Sequence, residues 1–159
     1  MEAGEIMDAI INEQFIDLEL GSRNKETVIS FMSEILLREG RITDKDAYID
    51  SVLEREKLAS TSVGFDVGIP HGKSDAVKTA TVFFGRSDQG INWNEEGEQV
   101  KLVFLLAIPS QAASNHHLKI LAALSRKLMD ETFIKLLNNG KDKLDILNSL
   151  EETLASVTV

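Results

Sequence analysis

The chain has no cysteine, which excludes disulfides, thiolate chemistry and zinc sites built on thiolates. Proline occurs only at positions 70 and 109, and aromatic residues make up 6% of the 159 residues. The longest apolar run, Leu102 to Ile108, is far too short to span a bilayer, so no membrane insertion is expected. The opening residues, Met1-Glu2-Ala3-Gly4-Glu5, lack the basic and apolar regions of a secretory signal. Basic residues are the minority, 17 Lys and Arg scattered among 26 Asp and Glu, for a net charge of −9. That balance disfavours nucleic acid, whose phosphates call for a basic face, and favours encounters with basic protein surfaces. No stretch reads as a linker, repeat or low-complexity segment, so one domain is expected over residues 1–159, in a cytoplasm consistent with the missing cysteines.

What is present is 43% apolar residue in recognisable periods. Phe15 to Leu20 ends in apolar–acidic alternation and predicts a first strand, stopped by Gly21-Ser22. Lys25 to Arg38 places Val28, Phe31, Met32, Ile35 and Leu36 on one helical face, with Asn24 as N-cap and Gly40 as stop. A second helix is expected from Asp44 to Lys57, capped by Thr43, with Ile49, Val52 and Leu53 inward and Arg55 near its end. Thr79 to Gly85 and Val100 to Ile108 read as central strands, joined by a turn and a short extended piece containing Trp93, a core-edge anchor. Pro109 ends the second of these. Ser114 or Asn115 then caps a helix reaching about Met129, with Leu118, Leu121, Leu124 and Leu128 inward. Glu131 to Asn138, ended by Gly140, and Lys141 to Ala155, with Leu144, Leu147, Leu150 and Leu154, predict two covering helices. The order implies an α/β fold, a three-layer sandwich with a central mixed sheet flanked by helices on both faces.

Between the second helix and the central strands lies Val63-Gly64-Phe65-Asp66-Val67-Gly68-Ile69-Pro70-His71-Gly72-Lys73, read as a stiff, closely turned loop around His71. On this segment alone, a strand-end histidine bonded to backbone is the preferred reading of His71, ahead of a nucleophile. Arg55, between Glu54 and Glu56, reads by itself as a solvated surface arginine, and only its place immediately before the glycine loop makes it a candidate. His117 falls in the first turn of the third helix, where free backbone N–H groups attract anions, and His116 points about 100° away from it. Together, a mounted histidine, a second imidazole at a helix N-terminus and an arginine contain the parts for accepting and returning a phosphoryl group. No Walker-type loop, metal cluster or dinucleotide fingerprint appears, so no cofactor and no metal is expected. Asp66 and Asp75 flank His71 as candidates to orient its ring, or as plain surface carboxylates. A zinc site from His71, His117 and a carboxylate is a third reading of the same residues.

Four stretches carry a resemblance: Leu53-Glu54-Arg55-Glu56; Gly68-Ile69-Pro70-His71-Gly72-Lys73; Val100-Lys101-Leu102-Val103-Phe104-Leu105-Leu106-Ala107-Ile108-Pro109; and His117-Leu118-Lys119-Ile120-Leu121. In this order and spacing, from about residue 15 to 150, the chain resembles the EIIA domains of the bacterial phosphoenolpyruvate-dependent sugar phosphotransferase system, fructose/mannitol group. The stretch from Phe84 to Trp93 resembles the fructose branch more, although Asn94 stands where fructose-type sequences usually offer aspartate. The resemblance implies that His71 is phosphorylated, that His117 hydrogen-bonds the phosphoryl group or His71, and that Arg55 stabilises the phosphoryl group or contacts a partner. It implies phosphohistidine HPr as donor and a cysteine of EIIB as acceptor, EIIB being expected on a separate chain, with sugar crossing through membrane EIIC. A regulatory role like that of nitrogen-related EIIA proteins, in which phosphorylation changes binding to targets, is the alternative. Sugar identity and oligomeric state are not encoded in these motifs.

Overall fold

The apolar run from Val100 to Ile108 becomes the spine of the sheet, every residue of it buried except Lys101. A strand covered on both faces needs no alternation, which is why this segment reads as a continuous hydrophobic block. The computed structural model describes residues 9–112 and 115–157. In chain order these form β1 (Ile16–Asp17), α1 (Lys25–Arg38), α2 (Lys45–Leu58), β2 (Ser62–Gly64), β3 (Val67–Gly68) and β4 (His71–Ser74). Then follow β5 (Thr81–Asn92), β6 (Gln99–Pro109), α3 (His116–Lys127), α4 (Glu131–Asn139) and α5 (Lys143–Leu154).

The mixed sheet runs β1-β5-β6-β3-β2, with β4 also paired to β6. β5 and β6 are antiparallel, whereas β3 and β4 both run parallel to β6. Val67 lies opposite Leu102 and His71 opposite Leu106, so β3 and β4 share one register and amount to a single line interrupted at Ile69-Pro70. Pro70 has no N–H to give, yet its carbonyl still accepts from Leu106 N–H at 3.0 Å, so the interruption costs little pairing.

Helices cover both faces, as expected. Gly72 and Gly85 look toward α2 and α1: a Cβ on Gly72 would lie 2.9 Å from Val52 Cγ2, and one on Gly85 3.2 Å from Met32 Cε. Residues one step along point the other way. His71 there meets α3 through His117, and the Arg86 guanidinium donates to the carbonyls of Leu137 (3.0 Å) and Gly140 (2.7 Å) at the end of α4.

Several local expectations are corrected. The first strand is only two residues, because Phe15 closes a 3-10 turn on Asn12 and the Asp17 carboxylate accepts the Glu19 N–H at 2.8 Å, turning the chain away. α2 is capped by Asp44, which accepts from Ala47 N–H at 3.0 Å, while the Thr43 hydroxyl donates to the Ala76 carbonyl. Tyr48 and Val52 form its buried stripe, with Ile49 and Leu53 half-buried on the flank. Phe31 is 48% exposed, since the buried stripe of α1 runs through Val28, Ile29, Met32 and Leu36 and leaves Phe31 in a shallow groove with Ile49 and Leu53. β5 begins at Thr81 and continues to Asn92 through an irregularity after Arg86, so much of the expected turn is strand.

α3 ends at Lys127 rather than near Met129 and buries Ile120, Ala123 and Leu124, leaving Leu118 exposed. α5 starts later than expected because Asp142 caps it, accepting from Leu144 N–H at 2.9 Å and placing exposed Leu144 in the first turn. Ser114 lies outside the described residues, and Asn115, the N-cap, makes no side-chain capping bond.

Candidate active site

The segment expected as a loop is mostly sheet, and His71 is the first residue of β4. Gly72 has ordinary strand backbone opposite Ala107; its role is close approach, since a Cβ there would also meet Ser51 Oγ and, at 3.2 Å, Tyr48 Cε1. α2 therefore rests directly on the backbone of the strand that carries His71. Tyr48 reinforces this contact by donating its buried hydroxyl to the Leu106 carbonyl at 2.7 Å, and burial pushes the phenol well above its usual pKa. Gly68 serves likewise beneath Trp93, whose Cζ2 would stand 2.6 Å from an added Cβ. Trp93 is buried, the anchor expected of it.

The His71 ring is half-buried, and its Nδ1 lies 3.0 Å from the Ile69 carbonyl oxygen. A carbonyl only accepts, so Nδ1 holds the proton and Nε2 is left with a lone pair. Burial lowers the ring's pKa; the Ile69 hydrogen bond raises it, the Arg55 charge lowers it, and the Glu56 charge raises it. The net direction is downward, which keeps the imidazole neutral and nucleophilic near neutral pH.

His117, the second residue of α3, stacks on His71 with ring centroids 5.7 Å apart and planes 27° from parallel. Its Nδ1 is buried with no hydrogen-bond partner. A buried N–H without an acceptor is the costlier arrangement, so the proton belongs on Nε2, available to an incoming anion. Burial lowers this pKa too, and the charges of His71, Lys73, His116 and Arg55 push the same way.

Arg55 sits in the last turn of α2, where its charge reaches both rings, but its Nη1 donates to the Ala59 carbonyl at 2.8 Å. The structure thus brings His71 and His117 into contact and adds Arg55 through its field. The charge of His116 bears on His117. Neither aspartate orients His71: the Ser110 hydroxyl donates to Asp75, and Asp66 occupies a left-handed turn position (φ 61°) whose carbonyl accepts from Lys101 and Leu102. Among the described residues no cluster of three His, Cys, Asp or Glu side chains is placed to hold a metal ion.

Two nearby contributors escaped the sequence reading. Lys73, two positions along β4 and so on the same face as His71, influences His117. Glu56 lies within electrostatic reach of His71 and is tied to Lys25 and Thr61. Position i+2 on a strand was available as a signal for Lys73; nothing local distinguished Glu56 from its acidic neighbours.

The family model for "Phosphoenolpyruvate-dependent sugar phosphotransferase system, EIIA 2" matches residues 9–153. The chain belongs to this EIIA family. It is 40% identical over 142 residues to the fructose-specific EIIA component of Haloferax volcanii, covering 89% of this chain and 92% of that one. To the fructose-like EIIA component of Escherichia coli it is 36% identical over 149 residues, 93% and 99% of the two chains. Among solved structures, nitrogen regulatory protein IIA-Ntr of Neisseria meningitidis superposes with a TM-score of 0.79 at 27% identity, covering 89% of this chain and 96% of that one. Enzyme IIAMTL of E. coli, in complex with phosphorylated enzyme IIBMTL, superposes at 0.72 and 26%, covering 91% and 96%. This EIIA is therefore a phosphotransfer component of the sugar phosphotransferase system, of fructose type by homology. Among the described residues no helix is long and apolar enough to cross a membrane.

Proposed function

We propose that this EIIA is a cytoplasmic phosphocarrier for fructose-type uptake, a single domain over residues 1–159 that takes a phosphoryl group from HPr onto His71 and gives it to a cysteine of EIIB on a separate chain. The lone pair on His71 Nε2 attacks the phosphorus of phosphohistidine HPr, and the donor's N–P bond breaks as the new one forms, its electron pair returning to the donor imidazole. An EIIB thiolate then attacks the same phosphorus; an S–P bond forms, and the His71 N–P electrons return to Nε2. His117 Nε2–H donates to a phosphoryl oxygen, and Arg55 offsets the charge on the oxygens. The protein supplies position and charge stabilisation in both steps and binds no cofactor. EIIC carries the sugar across the membrane.

The observation that carries this reading is the stacked His71–His117 pair with His71 Nδ1 occupied by the Ile69 carbonyl, which leaves one nitrogen as nucleophile. The test is incubation with phosphorylated HPr, read by intact mass and acid-labile phosphate. One label on wild type and none on His71→Ala is expected; an unlabelled wild type, or an equally labelled variant, would overturn it.

A regulatory role, in which phosphorylation of His71 controls binding to target proteins, draws support from the similarity to IIA-Ntr. Transfer of the label to a purified EIIB separates the two: acceptance favours transport, and refusal combined with phosphorylation-dependent target binding favours regulation.

A further inference from the structure

The Ile69 carbonyl that accepts the His71 Nδ1–H hydrogen bond is itself held from behind. Ile69 donates its own N–H to the Thr61 carbonyl at 3.0 Å, so both polar groups flanking its Cα are engaged, one toward Thr61 and one toward His71. Thr61 is buried, and its hydroxyl donates to one oxygen of Glu56. The other Glu56 oxygen accepts from Lys25 Nζ at 2.8 Å. Lys25 in turn donates to the Trp93 carbonyl at 2.8 Å and lies over the indole, 4.8 Å from its centroid.

Glu56 is only 6% exposed, and a buried carboxylate–ammonium pair is a poor source of net stability, because desolvation cancels much of the attraction. Its location is therefore the informative fact: directly after Arg55, and one hydrogen bond from the residue that anchors Ile69. Between Ile69 and His71 the chain is tied to β6 only through the Pro70 carbonyl, which accepts from Leu106 N–H. Pro70 offers no N–H, so the Ile69-Pro70 step has fewer ladder bonds than the strand on either side.

We propose that Thr61 and Glu56 are positioning residues that fix the Ile69 carbonyl, and through it the Nδ1–H tautomer of His71, with Lys25 and Trp93 locking Glu56 in place. The proposal rests on the reading of His71 Nε2 as the nucleophile, but it concerns the ring before any phosphoryl group arrives. A ring free to exchange tautomers would spend part of its time with the proton on the attacking nitrogen. Thr61 and Glu56 remove that possibility by geometry.

The experiment records two-bond proton–nitrogen correlations of the histidines in the full, unphosphorylated chain, alongside the initial rate of labelling by phosphorylated HPr. Thr61→Val keeps the side-chain shape and removes only the hydroxyl. It is expected to move His71 toward a mixture of tautomers and to slow labelling about tenfold, as small misplacements of a reacting group do, with Thr61→Ser restoring both. Glu56→Gln, which retains an acceptor for Thr61 but loses the charge, is expected to keep the tautomer and lower the His71 pKa. The charges that bear on the His71 ring are those of Arg55 and Glu56 from α2; His117 from α3 stacks on it, and the charges of Lys73 from β4 and His116 from α3 bear on His117. A folded Thr61→Val with the wild-type His71 pattern would overturn the proposal, as would a Glu56→Gln protein whose His71 becomes a mixture of tautomers although the acceptor for Thr61 is retained. If Thr61→Val does not fold, Glu56→Ala, which removes the acceptor of the Thr61 hydroxyl, decides: a mixture of His71 tautomers is expected, and the wild-type pattern would overturn the proposal. A tautomer shift in a protein that HPr never labels would uphold the positioning role and overturn the phosphocarrier reading.

Discussion

Replacing Gly72 by alanine tests whether α2 truly rests on the backbone of β4. The added Cβ would stand 2.9 Å from Val52 Cγ2 and 3.2 Å from Tyr48 Cε1, and closer still to Ser51 Oγ. Ser51 can rotate at the expense of its 2.6 Å bond to the Tyr48 carbonyl, but Val52 is β-branched in a helix and has essentially one rotamer, while Tyr48 is pinned by its hydrogen bond to Leu106. The strain is thus relieved by moving α2, and overpacking of this kind costs about 1–3 kcal/mol. Removing glycine's freedom from the unfolded chain returns about 0.4–1 kcal/mol, because Gly72 has strand backbone that alanine accepts. The net expectation is a destabilisation of about 1–2 kcal/mol, which at a slope of about 2 kcal/mol per molar lowers the urea midpoint by about 0.5–1 M with the slope unchanged. Gly21→Ala is the control: nothing lies within 4 Å of its added Cβ, and its stability should stay within about 0.5 kcal/mol of wild type. A Gly72→Ala protein as stable as wild type would refute the close approach and, with it, the account of how Arg55 is delivered to His71.

Two further outcomes follow from the site. His117→Ala removes a half-buried first-turn side chain and is expected to shift the thermal midpoint by no more than about 4 °C, while slowing labelling by phosphorylated HPr about a hundredfold; an undiminished rate would contradict its role as a donor. The His71 pKa is lowered on folding, so between its folded value and about 6.5 the unfolded chain binds more protons, and stability rises with pH across that window. Urea midpoints at pH 5 and pH 8 should therefore fall more on acidification in wild type than in His71→Asn, and identical pH dependence would count against a depressed pKa.

The parts of the fold set by one-dimensional pattern were readable from sequence. The β6 run, the Asn24 cap and the Gly140 stop are local signals, and the structure uses each as expected. Phe31, Leu118 and Leu144 are exposed although their spacing places them inward, because helical spacing defines an apolar arc without saying which edge of that arc a neighbour covers. The short β2, β3 and β4 read as a loop in the sequence because their glycines and proline suggest turns, whereas Gly68 and Gly72 are there to admit Trp93 and α2. Within the site, His71, His117 and Arg55 stood out by residue type and by family resemblance. Thr61 did not, since its contribution depends on a carbonyl and a carboxylate meeting across a sheet edge, and no spacing rule encodes that.

The shared register of β3 and β4 against β6 bears on how this sequence can change length. Val67 faces Leu102 and His71 faces Leu106 with nothing looped out between them. Side chains alternate along a strand, so one residue inserted or deleted between Gly68 and His71 would turn the imidazole to the α2 face, away from His117. The same change between Val103 and Leu106 would force an equivalent slip. Substitutions can be absorbed in these intervals, whereas single-residue insertions and deletions cannot, and the count of residues there is constrained more tightly than their identity.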